Sequence, residues 1–174
     1  MKKLILPVVA LFAFGFANAQ DSEGMKFGVK AGVNLTNFTG DGDSDGATGF
    51  YVGGLVDFAV GDNFHVQPEL LYSMEGAKDA SISYLRVPIM AKYYVMEGLS
   101  LQAGPEVAFK VAADDDIDEL TKSIDFGIGA GAGYEMASGL MFDIRYNLGL
   151  SNISEVDAFD IKNTGIMIGL GYRF

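Results

Sequence analysis

GIMIGLGYRF, residues 165–174, alternates two kinds of side chain from one position to the next. Ile166, Ile168, Leu170, Tyr172 and Phe174 are large and apolar, whereas two of the four positions between them are glycine. Successive side chains of a β-strand point to opposite faces, so this spacing predicts a strand with one apolar face. Whether that face contacts water or lipid decides the class of protein.

The same period of two recurs in eight segments of the chain. Within each segment one face carries no charged side chain over five alternate positions; the segments are 27–35, 50–58, 64–72, 85–93, 101–109, 126–134, 142–150 and 166–174. The opposite faces carry the charges and most of the glycines. Alternation this regular predicts an all-β fold, an eight-stranded antiparallel up-and-down barrel.

Two kinds of barrel orient such faces in opposite ways. A soluble, lipocalin-like periplasmic carrier turns the apolar face inward, whereas a transmembrane barrel turns it toward lipid. Aromatic residues bracket several apolar rows, as Phe50 and Phe58 do, and nine residues of a tilted strand span about 20 Å, close to the ~25 Å apolar band of outer-membrane barrels. The alternate glycines of 127–133 leave room for long side chains inside a narrow lumen. These features favour the transmembrane barrel.

The predicted connections alternate in length. Residues 60–63, 96–98 and 137–139 form tight turns, and the longer segments between them are acidic: TGDGDSDGA (39–47), EGAKDAS (75–81), ADDDIDELTK (113–122) and SEVDAFD (154–160). Short periplasmic turns and longer extracellular loops are typical of outer-membrane barrels. We therefore expect a multi-pass protein of the outer membrane with both termini in the periplasm. Phe174 resembles the terminal aromatic signal that outer-membrane assembly machinery reads.

The first residues have the features of an export signal. Two lysines precede an apolar run at 4–16, and Ala17-Asn18-Ala19 follows, which predicts a signal peptide at 1–19 cleaved before Gln20, with the barrel domain at 20–174. The mature chain would have 10 Lys and Arg against 23 Asp and Glu, a net charge of −13. So acidic a chain does not bind nucleic acid, which needs a basic surface. The absence of cysteine excludes disulfides.

Six segments resemble the PorT-like outer-membrane β-barrel family of Bacteroidetes. They are VQPELLYSMEGA (66–77), YLRVPIMAKYYV (84–95), LQAGPEVAF (101–109), FGIGAGAGYE (126–135), RYNLGLSNI (145–153) and GLGYRF (169–174). The resemblance implies an eight-stranded barrel with both ends in the periplasm and no catalytic residues. The family's namesake is tied to a protein-secretion system. Arg86 stands where the family often has a glutamate.

One acidic segment matches the first half of a calcium-binding loop. Asp41, Asp43 and Asp45 precede Gly46 with the spacing D-x-D-x-D-G. The twelfth position should be a bidentate glutamate, but Val52 stands there. A solvated acidic loop is the alternative interpretation, and calcium is the one candidate cofactor, as a weakly bound ion.

The four predicted outer loops contain thirteen acidic residues against Lys78 and Lys122: Asp41, Asp43, Asp45, Glu75, Asp79, Asp114, Asp115, Asp116, Asp118, Glu119, Glu155, Asp157 and Asp160. Lipopolysaccharide phosphates would repel these loops unless divalent cations bridge the two. The alternative is that the charge serves only solubility.

Five charged residues fall at mid-strand on the predicted lumen face: Glu69, Arg86, Glu106, Asp143 and Arg145. Since unpaired charges are costly in a water-poor interior, we expect them to pair as a structural plug; a proton or solute path is the alternative. His65, the one histidine of the chain, also falls on this face, away from any lipid substrate, so we predict no enzyme. Pro68, Pro88 and Pro105 lie within strands, where we expect bulges or lumen-side partners.

The sequence therefore favours a non-enzymatic outer-membrane barrel of the OmpX or OmpA-domain kind, serving envelope integrity or surface interaction. An accessory component of a protein-secretion system is the second hypothesis. An envelope enzyme, for which the sequence offers no convincing active site, is the third, and a soluble periplasmic carrier is the structural alternative. The expected partners are outer-membrane lipid, lipopolysaccharide and the barrel-assembly machinery, without nucleic acid. The sequence identifies no protein partner.

Overall fold

Eight antiparallel strands form a closed barrel in the computed structural model, which describes residues 24–40, 46–77, 80–113, 122–153 and 161–174. The strands are β1 (Met25–Gly40), β2 (Ala47–Ala59), β3 (Phe64–Ala77), β4 (Ala80–Met96), β5 (Leu99–Ala113), β6 (Ile124–Glu135), β7 (Leu140–Gly149) and β8 (Ile161–Arg173). Each strand pairs with its neighbours in the chain, and β8 pairs with β1 over Gly28–Gly40. The predicted all-β, eight-stranded fold is confirmed. Within the described ranges no helix is long and apolar enough to cross a bilayer.

The apolar faces of the strands point outward. Val52, Ile89 and Ile128 are 44–50% exposed, whereas Arg86 and Glu106 are each 4% exposed in the lumen. This orientation is the reverse of a soluble ligand carrier. The wall of the barrel therefore contacts lipid, because a continuous apolar belt around a barrel is stable in hydrocarbon and not in water.

Aromatic side chains encircle the end of the barrel where both chain termini lie, here called the terminus end. Its exposed members are Phe58, Phe64, Tyr93, Tyr134, Phe142 and Phe174. Phe27, the first residue of the apolar row 27–35, is an exception to the outward orientation and is only 7% exposed. The backbone N–H of Phe174 donates to the carbonyl oxygen of Phe27, so the last residue of the chain lies alongside it.

The connections at the terminus end are short, at 60–63, 97–98 and 136–139. Gly98 and Gly139 take φ values of +77° and +88° in two of these turns, a conformation that suits glycine. The opposite end, here called the loop end, holds connections 41–46, 78–79, 114–123 and 150–160. The prediction of a long loop at 75–81 is wrong, because β3 and β4 remain paired up to Ala77 and Ala80.

Three prolines interrupt the hydrogen-bonded ladders of neighbouring strands. Pro68 is skipped in the β2–β3 ladder, Pro88 in the β3–β4 ladder and Pro105 in the β4–β5 ladder, each together with one adjacent pair. The register is the same on both sides of each gap, so the prediction of bulges at these prolines is wrong, whereas the alternative of lumen-side partners stays a prediction. Each gap forms because a proline lacks an N–H donor. The register does not change across the gap because a shift by one residue would turn the apolar face of the strand into the lumen.

Candidate functional site: the charged lumen

Buried charged side chains occupy the lumen along its length. Among the described residues they fall into three groups, which we name by position as the loop-end, central and terminus-end clusters. Each cluster draws its members from at least three strands, because alternate residues of every strand point inward.

The loop-end cluster is built around Arg86 of β4. The guanidinium of Arg86 donates to both carboxylate oxygens of Glu75, through Nε at 2.5 Å and through Nη2, and its Nη1 donates to Glu106 Oε1 at 2.7 Å. Asp125 of β6 completes the cluster, accepting hydrogen bonds from Ser151 Oγ at 2.6 Å and Asn163 Nδ2 at 2.9 Å. Two carboxylates therefore bond to the one guanidinium, and the third, Asp125, is held by neutral side chains.

The central cluster joins strands on opposite sides of the barrel. Arg145 of β7 donates to both carboxylate oxygens of Glu69 on β3, at 2.9 and 3.1 Å, and to Gln102 Oε1 at 3.1 Å. Lys30 Nζ of β1 lies 2.8 Å from Asp143 Oδ2 and 3.7 Å from Glu69 Oε1. Two cations thus balance two anions.

The terminus-end cluster surrounds Asp57 of β2. His65 Nδ1 lies 2.5 Å from Asp57 Oδ1, Arg173 Nη1 lies 3.2 Å from the same oxygen, and Lys92 Nζ lies 3.4 Å from Asp57 Oδ2. Arg173 also pairs with Glu135 through Nη2. The last strand is thereby tied to both β2 and β6.

The glycines of β6 provide space for these side chains. A Cβ on Gly127 would lie 2.9 Å from Glu106 Oε1, and one on Gly129 would lie 3.0 Å from Arg145 Cδ. This confirms that the glycine face accommodates long side chains inside a narrow barrel. Two cavities between the described side chains of the lumen are small, about 10 Å³ in the loop-end cluster and about 20 Å³ beside Lys92 and Asp143.

The structure places all five predicted lumen charges inside the barrel but in two separate clusters. Arg86 and Glu106 belong to the loop-end cluster, whereas Glu69, Asp143 and Arg145 belong to the central one. Sequence reasoning missed Glu75, which it placed in an outer loop; the residue is 5% exposed on β3. Its even spacing from Glu69 and Ser73 was the available signal, since all three share a strand face.

The partners Lys30 and Asp125 were also outside the predicted set, although both alternate in phase with the lumen face. The calcium candidates Asp41, Asp43 and Asp45 lie outside the described residues, so calcium binding there stays a prediction. Among the residues that the structure describes, no group of three or more His, Cys, Asp and Glu side chains is arranged to hold a metal ion.

Comparisons with known proteins agree with this architecture. Residues 6–174 match the family described as outer membrane protein beta-barrel domain. No curated protein sequence matches the chain.

Solved structures of small membrane barrels have the same fold. The attachment invasion locus protein Ail of Yersinia pestis aligns with a TM-score of 0.55 at 19% identity, covering 88% of this chain and all of Ail. Neisserial surface protein A aligns with a TM-score of 0.57 at 13% identity, covering 87% of this chain and 100% of its own. Ail in a phospholipid bilayer nanodisc gives 0.53 at 19% identity, covering 87% and 100% of the two chains. At these identities the likeness is one of fold.

Proposed function

Because the chain belongs to the outer membrane protein beta-barrel domain family and is a protein of the outer membrane, we propose that it is a non-enzymatic barrel with a closed lumen. Its role is in envelope integrity or in surface interaction through acidic loops. In this proposal the barrel is the scaffold and the acidic loop segments carry the surface chemistry. His65 contributes no catalysis in this proposal, since it is engaged with Asp57 inside the lumen.

The observation that carries the closed lumen is the Arg145–Glu69 pair at the centre of the barrel. Both side chains are 1% exposed and connect strands on opposite walls. Opening a path would separate two buried charges, which costs several kcal/mol. An eight-stranded barrel is also only wide enough for side chains to fill.

Planar-bilayer recording tests this closure. The purified barrel should give no stable single-channel current in neutral salt, whereas a double variant, Arg145→Ala with Glu69→Ala, should give small openings because it removes the central pair. A steady ohmic current from the wild-type barrel would contradict the proposal.

The acidic loop segments support a surface role with cationic rather than anionic ligands. After Glu75 is assigned to β3, twelve acidic residues remain in the segments 41–45, 78–79, 114–121 and 154–160. The Yersinia pestis protein Ail has been solved in complex with a heparin analogue, sucrose octasulfate. This chain, with a net charge of −11, would repel such a polyanion. Lipopolysaccharide phosphates would contact the loops through bridging divalent cations.

Gene deletion tests the role in the envelope. The deletion strain should become more sensitive to detergent and to chelators, and the intact gene should restore resistance. A variant with Asp114, Asp115 and Asp116 changed to Asn should restore it less well. Normal detergent resistance in the deletion strain would argue against envelope integrity and leave surface interaction as the role.

The resemblance to the PorT-like family favours a second function, an accessory role in protein secretion. Its six segments include most of the lumen charges, such as Glu69, Arg86 and Arg145. Crosslinking in native membranes separates the two functions, because a stoichiometric secretion partner favours the second and its absence favours the first. Comparison of secreted proteins in the deletion strain gives an independent readout.

We further propose the orientation of the chain in the membrane. Cleavage before Gln20 would release the signal peptide and leave both termini in the periplasm, with Phe174 presented to the assembly machinery. Protease added to intact cells should then cut within 114–121 and spare the turn 136–139. Cutting at 136–139 would reverse the orientation.

A further inference from the structure

A groove of about 390 Å³ opens on the outer wall of the barrel near the loop end. It crosses β7, β8, β1 and β2, and its apolar part is formed by Tyr146, Ile166 and Leu35. These three side chains are 39–52% exposed on the face that contacts lipid. Pockets that hold small ligands have volumes of about 300–1,000 Å³. The wall therefore has room here for part of a lipid molecule.

The outer wall changes from apolar to polar along this groove. On β8 the outward residue that precedes Ile166, toward the loop end, is Thr164, and on β1 the outward residue that follows Leu35 is Asn37. Asn37 pairs with Thr164, and Leu35 pairs with both Ile166 and Thr48 of β2. The change thus occurs at nearly the same height on three neighbouring strands.

This polar boundary is local to one side of the barrel. At the loop end of β5 and β6 the outward residues Val111 and Ile124 are apolar, and they are 40% and 44% exposed. None of the described residues that line the groove carries a charge, although the loop segments beyond the strands are acidic. The groove therefore fits a ligand that is apolar along its length and neutral but polar at one end.

Hydroxyl groups form the polar part of the groove. Thr164 Oγ1 donates to Tyr146 Oη at 2.9 Å, and Thr48 is exposed on β2. Gly46 has no side chain, which leaves the groove open beside Thr48. A hydroxyl that faces hydrocarbon is unfavourable unless it has a hydrogen-bond partner. Binding is therefore favoured for a ligand that brings a carbonyl or hydroxyl oxygen to this depth.

We propose that the groove binds one acyl chain of lipopolysaccharide, with the oxygens at the head of that chain facing Thr48 and Thr164. In a bilayer the acyl chains give way to polar linkages at one depth, as the lining of the groove does. If a methylene group fills about the ~30 Å³ that a water molecule occupies, the groove holds roughly a dozen of them. The choice of lipopolysaccharide rests on the proposed orientation, in which the loop end lies in the outer leaflet.

Native mass spectrometry of the purified barrel in detergent, titrated with lipid A, tests the site. Lipid A is the acylated part of lipopolysaccharide, and the wild type should bind one molecule per barrel and saturate. Thr48→Trp fills the groove and should abolish this binding. The double variant Thr48→Val with Thr164→Val keeps the shape but removes both hydroxyls. It should raise the dissociation constant about tenfold, as expected for the loss of two neutral hydrogen bonds.

Two matched controls separate the groove from the rest of the loop end. Val111→Trp adds the same side chain to the outward face of β5, away from the groove, and should bind lipid A as the wild type does. Ser123→Ala removes an exposed hydroxyl outside the groove and should also leave the affinity unchanged. Heat-modifiable migration on gels shows that each variant is folded before it is titrated.

The source of the chain is tested on barrels extracted from native outer membranes in mild detergent. Lipopolysaccharide should remain on the wild type and be lost from Thr48→Trp. A phospholipid in its place would overturn the assignment. Equal binding of lipid A by Thr48→Trp and the wild type, or equal loss in Val111→Trp, would overturn the site itself. These measurements use the isolated barrel, so normal detergent resistance of the deletion strain would contradict only the proposed role in the envelope.

Discussion

Arg145 and Glu69 form a two-point ion pair across the full width of the lumen, with N–O distances of 2.9 and 3.1 Å. Their strands, β7 and β3, are separated by three strands in either direction around the barrel. Parallel N–H···O bonds between a guanidinium and a carboxylate fix both position and orientation. This single pair therefore sets the distance between opposite walls at mid-height.

Removing one partner of this pair should strongly destabilise the barrel. Arg145→Met leaves Glu69 with Gln67 and the more distant Lys30, and breaking a buried pair costs about 3–5 kcal/mol of unfolding free energy. Urea unfolding in lipid vesicles measures the loss. The double variant Arg145→Met with Glu69→Leu should recover most of it, since no unpaired charge remains; a double variant as unstable as the single one would refute this reasoning.

The glycine face of β6 should not tolerate a methyl group. A Cβ on Gly131 would overlap the carbonyl oxygen of Ile144 on β7, so Gly131→Ala requires a backbone shift. We expect a loss of roughly 1–3 kcal/mol by the same urea measurement. Gly61→Ala is the matched control, because no atom lies within 4 Å of its added Cβ, and it should change stability by less than about 0.5 kcal/mol.

Outward-facing positions should reject charge according to their depth in the bilayer. Ala130 is exposed at the centre of the apolar row of β6, so Ala130→Arg should destabilise the folded barrel in vesicles by about 2–4 kcal/mol. Ala137 is exposed in the turn 136–139, and Ala137→Arg should cost about 1 kcal/mol or less. Equal effects at the two alanines would contradict the placement of the apolar belt in lipid.

The terminal aromatic should matter more for assembly than for stability. Phe174→Ala should lower the amount of barrel in the outer membrane severalfold, measured by heat-modifiable migration on gels. Refolding of the purified variant into vesicles should proceed almost as for the wild type. Phe64→Ala, in the same aromatic ring, serves as the control and should assemble normally; equal assembly of the two variants would exclude a special role for Phe174.

The fold could be predicted because two constraints select the same positions. Alternate residues of a strand point outward, and the residues that point outward must be apolar to contact lipid. Arg86 and Glu106 alternate with apolar neighbours, so the charged and the apolar residues lie on opposite faces of each strand. With the charges in the lumen, apolar residues such as Val52, Ile89 and Ile128 must face outward. The strand ends were less predictable. Glu75 resembles a loop residue in the sequence, yet Arg86 holds it inside the barrel, and pairing between distant residues has no local signature.

The cluster memberships depend on register, which the sequence does not display. Which carboxylate lies opposite Arg145 depends on the tilt of eight strands together, and so Glu69, rather than Glu106, became its partner. The prolines are a similar case. Because prolines lack an N–H donor, bulges or lumen-side partners were expected at these residues. The ladders pass all three without a change of register, since a shift by one residue would turn every outward side chain downstream into the lumen.

The three proline gaps also affect how the wall deforms. Pro68 pairs with Ile89, and the skipped partner of Ile89 is Pro105, so the gaps follow one diagonal line through β3, β4 and β5. A sheet bends most easily where consecutive backbone pairs are missing. We therefore expect the barrel wall to bend more easily along this line than elsewhere. Lateral pressure from the surrounding lipids should bend the cross-section from round toward oval along it.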